Sequence, residues 1–223
     1  MPRRTAAGPA GARFVDETLT LIAESGGSQG VTLREISRRV GCAHTNVYNY
    51  YSSLEELLWA AFRRALVIYA EAIIAGLDGE PSGQLYLRRL VGNLIGFAKD
   101  NPGLYRFIGS DPIEPELVPD DIIATVTAMK RYFIEVVAIL CGDRVAPEGV
   151  DEMGNILLAY LDGEVSNLIN GRVLPGEDIV GRVVDSTERL FTLLSASTSD
   201  GIVLSADVAD GSALVFPTLE VSS

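Results

Sequence analysis

Val31-Thr-Leu-Arg-Glu-Ile-Ser-Arg-Arg-Val-Gly-Cys-Ala-His-Thr-Asn-Val-Tyr-Asn-Tyr-Tyr-Ser-Ser-Leu-Glu-Glu-Leu-Leu58 decides the fold. Thr32 carries the chemistry of a helix start. Its hydroxyl can accept from the Glu35 N–H, and the Glu35 carboxylate can reach back to the Thr32 N–H, which is a capping box. Leu33, Ile36 and Val40 then recur at helical spacing on one apolar stripe, and Arg34, Arg38 and Arg39 lie off it. Gly41 can take the positive φ that ends a helix. A second helix over about Ala43 to Tyr50 turns Val47 inward. It leaves His44, Thr45, Asn46, Tyr48, Asn49 and Tyr50 on the outer face. Ser53-x-x-Glu56 opens a third helix with another capping box.

Two short helices across a tight turn form the layout of a helix-turn-helix, whose second helix enters the DNA major groove. The outward residues suit that use. Asn can pair an adenine edge in bidentate fashion, Thr can touch a thymine methyl, and Tyr and Thr hydroxyls bond phosphates. The plain alternative is a polar surface helix in a small bundle.

The spacing resembles that of the tetracycline-repressor (TetR) family. The matching residues are Thr32, Ile36-Ser37, Gly41-Cys42-Ala43, Val47-Tyr48, Tyr51 and Glu55-Glu56-Leu57-Leu58, within roughly residues 13–62. The resemblance implies a dimeric, ligand-responsive transcriptional regulator. It implies that His44, Thr45, Asn46, Asn49 and Tyr50 face bases, and that Thr32, Tyr48 and Ser53 hold phosphates. Arg34 joins this DNA-binding set as a neighbouring cation off the apolar stripe. The chain departs from the family twice. Ala43 stands where the family has a capping Ser, which forgoes about 1 kcal/mol. Leu54 stands where the family has Lys, which removes a phosphate-neutralising charge and predicts a shallower salt dependence of DNA binding.

At 223 residues the chain can bury a real core in one or two domains. The net charge of −12 looks wrong for a DNA binder, but it is segregated. Residues 1–52 hold six Arg and four acids, and the remainder holds twelve basic and twenty-six acidic residues. Only the first part is then expected to touch DNA, and the acidic remainder discourages non-specific binding. No apolar run is long enough for a membrane span, and Arg3 and Arg4 are not followed by the apolar core of a secretory signal. Two unpatterned cysteines fit a reduced, cytoplasmic chain.

The rest of the chain reads as all-α. The expected organisation is a DNA-binding domain over 1–52, a ligand-binding and dimerisation domain over 53–198, and a tail over 199–223. Residues 1–11 read as a flexible arm whose Arg3 and Arg4 suit a minor groove, or equally as a disordered tail with no role. A first helix over about Ala12 to Ser25 carries Val15, Leu19 and Ile22. The helix from Ser53 to about Leu77, about 25 residues, would extend well over ~30 Å, a rod touching both domains. Helices follow over about Gln84–Lys99, from Asn101-Pro102, from Asp120 or Asp121 to Gly142, over about Glu148–Asn170, and over about Glu177–Ala196. On the helix ending at Gly142, Ile122, Val126, Met129, Phe133 and Val137 are expected to share one face, and on the last helix Ile179, Val183, Ser186, Leu190 and Leu193 are expected to do so. The family resemblance implies that the last two helices pair with their symmetry mates, and Gly163 permits close approach; the plain alternative is that they only close the monomer core. Asp210-Gly211 between two β-prone runs predicts a C-terminal hairpin.

Polar or aromatic residues on apolar faces are the candidates for a ligand site: Asn93, Phe97, Tyr105, Met129, Phe133, Tyr160 and Asn167. They predict an apolar or amphipathic small molecule. The bland reading gives each of them an ordinary partner in the core. No catalytic, metal-binding or cofactor pattern appears, since His44 is the only His and sits on the proposed DNA face. The reading is therefore a homodimeric repressor released from a palindromic double-stranded operator by a small molecule, with no enzyme activity and no membrane partner. The alternative is a helical ligand-binding or scaffold protein that has lost specific DNA binding.

Overall fold

The computed structural model describes residues 8–77, 83–112 and 117–198, and these contain helices and turns but no strand. The Arg3-Arg4 part of the expected arm and the expected hairpin within 199–223 lie outside the described residues. The helices are α1 (Pro9–Ser25), α2 (Leu33–Val40), a short tight helix (His44–Asn49), α3 (Leu54–Ile74), α4 (Gln84–Asp100), α5 (Pro102–Gly109), α6 (Asp120–Cys141), a single tight turn (Gly142–Arg144), α7 (Pro147–Ile169) and α8 (Ile179–Thr198). The architecture is all-α. Prolines begin α1, α5 and α7, where the missing N–H costs nothing. Pro9 thereby starts α1 earlier than the expected Ala12.

The described chain gathers into two compact units. The first runs to Tyr69 and resumes over Asp100–Ile122, and the second holds Ala70–Lys99 and the helices from Ile123 onward. In the first unit Phe14, Ile22, Ile36, Val47, Leu57 and Ala61 are almost wholly buried. Phe14, absent from the expected α1 stripe, is its anchor. Its ring meets Tyr50 at 5.6 Å and Tyr51 edge-on at 6.4 Å. The Tyr51 hydroxyl donates to the Gly11 carbonyl at 3.1 Å. α5 crosses the end of α1 at Gly103, where a Cβ would stand 2.6 Å from the Ile22 carbonyl oxygen. Phe107 of α5 packs edge-on against Phe62 of α3 at 5.3 Å.

In the second unit α4 buries Tyr86, Leu87, Leu90, Val91, Leu94, Ile95, Phe97 and Ala98, which makes it the central helix. α7 inserts Met153, Leu157, Leu161 and Val165. Gly154 lets α6 approach α7, since a Cβ there would meet Ile134 Cγ1 at 2.8 Å. α8 departs from its expected face. Ile179, Val183, Val184, Thr187 and Phe191 are buried, whereas Leu193 is 67% exposed. Following every fourth residue from Ile179 reaches Phe191, and that line, rather than the one through Ser186, Leu190 and Leu193, turns to the core. α6 also differs. Val126, expected on its stripe, is 46% exposed, and burial resumes at Tyr132 and Phe133.

Candidate nucleic-acid interface

Thr32 begins the site. Its hydroxyl accepts from the Glu35 N–H at 3.3 Å and caps α2. The expected return bond from Glu35 does not form. Arg38 and Arg39 draw that carboxylate to themselves, and the Arg38 guanidinium is the main cause that holds its pKa down at about 2. Gly41, with φ +78°, ends α2, and Arg13 donates to the Val40 carbonyl at 3.2 Å. Arg39 also pairs with Glu24 of α1 at 2.6 Å. Arg34 is exposed.

The next segment is not the α-helix expected over 43–50. The Asn46 N–H donates to the Ala43 carbonyl and the Tyr50 N–H to the Val47 carbonyl, both at 2.9 Å. These are three-residue steps, so side chains three apart lie over one another. Tyr50 therefore falls under Val47 and is buried, 6% exposed, against Phe14. This corrects its expected place among the base-facing residues. Asn46 and Asn49 also stack, with the Asn49 amide donating to Asn46 Oδ1 at 2.7 Å. His44, Thr45, Tyr48 and Asn49 are exposed and Asn46 is half-buried. Ala43 gives this helix no side-chain cap.

On the far side Ser53 Oγ accepts from the Glu56 N–H at 3.0 Å. The Glu56 carboxylate accepts from the Ser52 N–H at 2.6 Å, one residue earlier than expected. Thr32 and Ser53 share a useful property. Each hydroxyl oxygen accepts from a helix N–H, so its own O–H remains able to donate to a phosphate.

The expected ligand residues are not brought together as a set. Asn93 donates its amide to the Ile73 and Ala75 carbonyls at 3.0 and 2.9 Å, closing the end of α3. Asn167 is exposed, because Val165, two residues earlier, points inward and a two-residue step turns a helix to its other side. That corrects its expected place on the interior. Tyr105 belongs to the first unit, where it meets Tyr69 edge-on at 5.8 Å. Phe97 and Phe133 are buried in the second unit and Met129 is half-buried. The Tyr160 hydroxyl is buried without a hydrogen bond of ordinary geometry. Burial pushes its pKa up, with Ser186 and Glu164 beside it. Among the described residues there is no group of three His, Cys, Asp or Glu that could hold a metal ion. No described helix is long and apolar enough to cross a membrane.

The fold and this site define a helix-turn-helix unit joined to a second helical unit. No protein-family model and no curated protein matches the sequence. Solved structures match the fold. A TetR-like transcriptional regulator from Rhodococcus sp. RHA1 superposes with a TM-score of 0.62 at 18% identity, covering 86% of this chain and 96% of that one. A TetR-family transcriptional regulator from Streptomyces coelicolor gives 0.67 at 17%, covering 86% and 83%. The transcriptional regulator FadR from Bacillus subtilis, in complex with stearoyl-CoA, gives 0.62 at 14%, covering 83% and 97%. The chain has the fold of the TetR-family transcriptional regulators.

Proposed function

We propose that this chain is a TetR-family regulator that binds a palindromic DNA operator as a homodimer and releases it on binding an apolar or amphipathic small molecule. The observation that carries the reading is the exposed set His44, Thr45, Tyr48 and Asn49 between two cap hydroxyls, Thr32 and Ser53. A surface helix with no binding role has no need of this collection of base- and phosphate-bonding groups. In a dimer the two reading helices would enter successive major grooves about 34–36 Å apart. The half of α8 that the core leaves uncovered, with Leu193 67% exposed, supports a partner on that face. So does Gly163 of α7, where an added Cβ would meet nothing within 4 Å. The stearoyl-CoA complex of a similarly folded regulator favours an amphipathic effector, which acts only through its different affinity for the two conformations.

The test is selection of bound duplexes from a random library, followed by titration of the recovered sequence at about 0.15 M salt. A palindromic sequence is expected. Tyr48→Ala combined with Asn49→Ala should weaken binding by at least about fivefold, because one bidentate base contact is worth about 1–3 kcal/mol. Unchanged affinity in that double variant overturns the DNA face.

A further inference from the structure

The turn between α1 and α2 is held from outside by α5. It opens with Gly26 and Gly27, at φ +78° and +152°, whose N–H groups both donate to the Ile22 carbonyl at 3.0 Å. Glycines lose more freedom on ordering than any other residue, so this turn gains from an external hold beyond its own bond from Ser25 Oγ to the Gly27 carbonyl at 2.8 Å. Three contacts supply it. Arg106 of α5 donates to the Gly26 carbonyl, at the end of α1 where the helix carries partial negative charge. One oxygen of Asp111, just past α5, accepts from both the N–H and the hydroxyl of Ser28, at 2.6 and 2.5 Å. Gly103 seats α5 on the α1 backbone so closely that no larger residue fits. Gly27 completes the fit, since a Cβ there would stand 3.2 Å from Asp111 Oδ1 and 3.3 Å from Arg106 Cδ.

These contacts join residues about eighty positions apart in sequence. None of Gly26, Ser28, Arg106 and Asp111 belongs to the proposed DNA face. α5 follows α4 after the single residue Asn101, at the point where the chain returns to the first unit. We infer that Arg106 and Asp111 are positioning residues for DNA recognition. They grip the Gly26–Ser28 turn and so fix α2, and the reading helix after it, against α1. This inference rests on the DNA-binding reading above. The grip makes the reading helix rigid before it meets DNA, and a loosened turn must be ordered at the moment of binding.

Asp111→Asn tests it, with affinity for the selected duplex read by fluorescence anisotropy and turn opening read by amide hydrogen exchange. Asn keeps the shape of the side chain and one accepting oxygen but loses the charge that strengthens the bonds to Ser28. The variant is expected to bind the duplex about tenfold more weakly. Exchange at Ser28 should rise, and the salt slope should stay unchanged, because no phosphate contact is lost. An Asp111 that merely repels DNA gives the opposite sign, tighter binding on neutralisation, and that result overturns the inference. Ser28→Ala removes one of the two bonds and is the milder variant should Asp111→Asn fail to fold. It is expected to weaken binding about threefold. Unchanged affinity in Ser28→Ala, or in Asp111→Asn with raised exchange, overturns the positioning role while the DNA-binding reading stands. A wild-type chain that selects no duplex overturns both.

Discussion

Tyr51→Phe removes one hydroxyl and leaves the space around it filled. The ring is 3% exposed and sits edge-on to Phe14, so a Phe ring fits the same site. What is lost is the 3.1 Å bond to the Gly11 carbonyl, which ties the first turn of α1 to the residues leaving the reading helix. A neutral buried hydrogen bond contributes about 0.5–1.5 kcal/mol net. The Gly11 carbonyl keeps its partner within the helix, so the cost stays near about 1 kcal/mol, a fall in Tm of roughly 2–4 °C for a chain of this size. The hydroxyl also carries a pH signature. Burial is the main cause pushing its pKa up to about 12, against about 10 for an ordinary tyrosine. A folded-state pKa above the unfolded one favours the protonated form. The stabilisation is therefore intact below about pH 10 and is lost as pH rises towards about 12, with a slope of at most about 1.4 kcal/mol per pH unit. Urea unfolding of both proteins, at neutral pH and across that alkaline range, measures both effects. The wild type should be the more stable at neutral pH, and its advantage should shrink steadily in alkali. Equal stability at neutral pH refutes the bond, and parallel curves through the alkaline range refute the burial of the phenol.

Two further outcomes follow from the same geometry. Arg63 pairs with Asp121 through two bonds, at 2.5 and 2.8 Å, and this contact is the main cause holding the Asp121 carboxyl below its usual range. A depressed folded-state pKa gives stability that is present above the unfolded value and lost as pH falls through the folded one. Asp121→Asn should cost less than about 1 kcal/mol at neutral pH, because the pair is solvent-exposed, and should flatten the acid limb of a stability–pH curve. An unchanged acid limb counts against the pair. Cys141 is buried and Cys42 half-buried, and burial pushes the Cys141 thiol up. Alkylation of the folded protein, read by peptide mass spectrometry, should label Cys42 first and reach Cys141 only on unfolding. Labelling at equal rates contradicts the packing of α6.

Much of the site was legible because its signals are local. Thr32 and Ser53 cap their helices through atoms three residues away, and Gly41 takes the left-handed conformation that ends α2. Such bonds are set by short stretches of backbone, so residue type and spacing suffice to foresee them. The return bonds from Glu35 and Glu56 were harder to foresee. Each carboxylate had a competing partner within reach, Arg38 in one case and the Ser52 N–H in the other.

By itself, then, the sequence determined most of the helices, their punctuation and the candidate residues for the proposed DNA face. Periodicity, caps and turns are properties of neighbouring residues. Tertiary structure alone decided which way several of those residues face. Tyr50 is buried because the reading helix winds three residues per turn over Phe14, thirty-six positions away. Leu193 is exposed because α8 turns the line from Ile179 to Phe191 towards its neighbours. Asp111 holds Ser28 across eighty-three residues. A helix pattern with two apolar lines leaves the choice between them open, and a carboxylate in a loop has many possible partners. Only the packing of distant elements makes the choice, because only there do burial and hydrogen bonding compete for the same side chain.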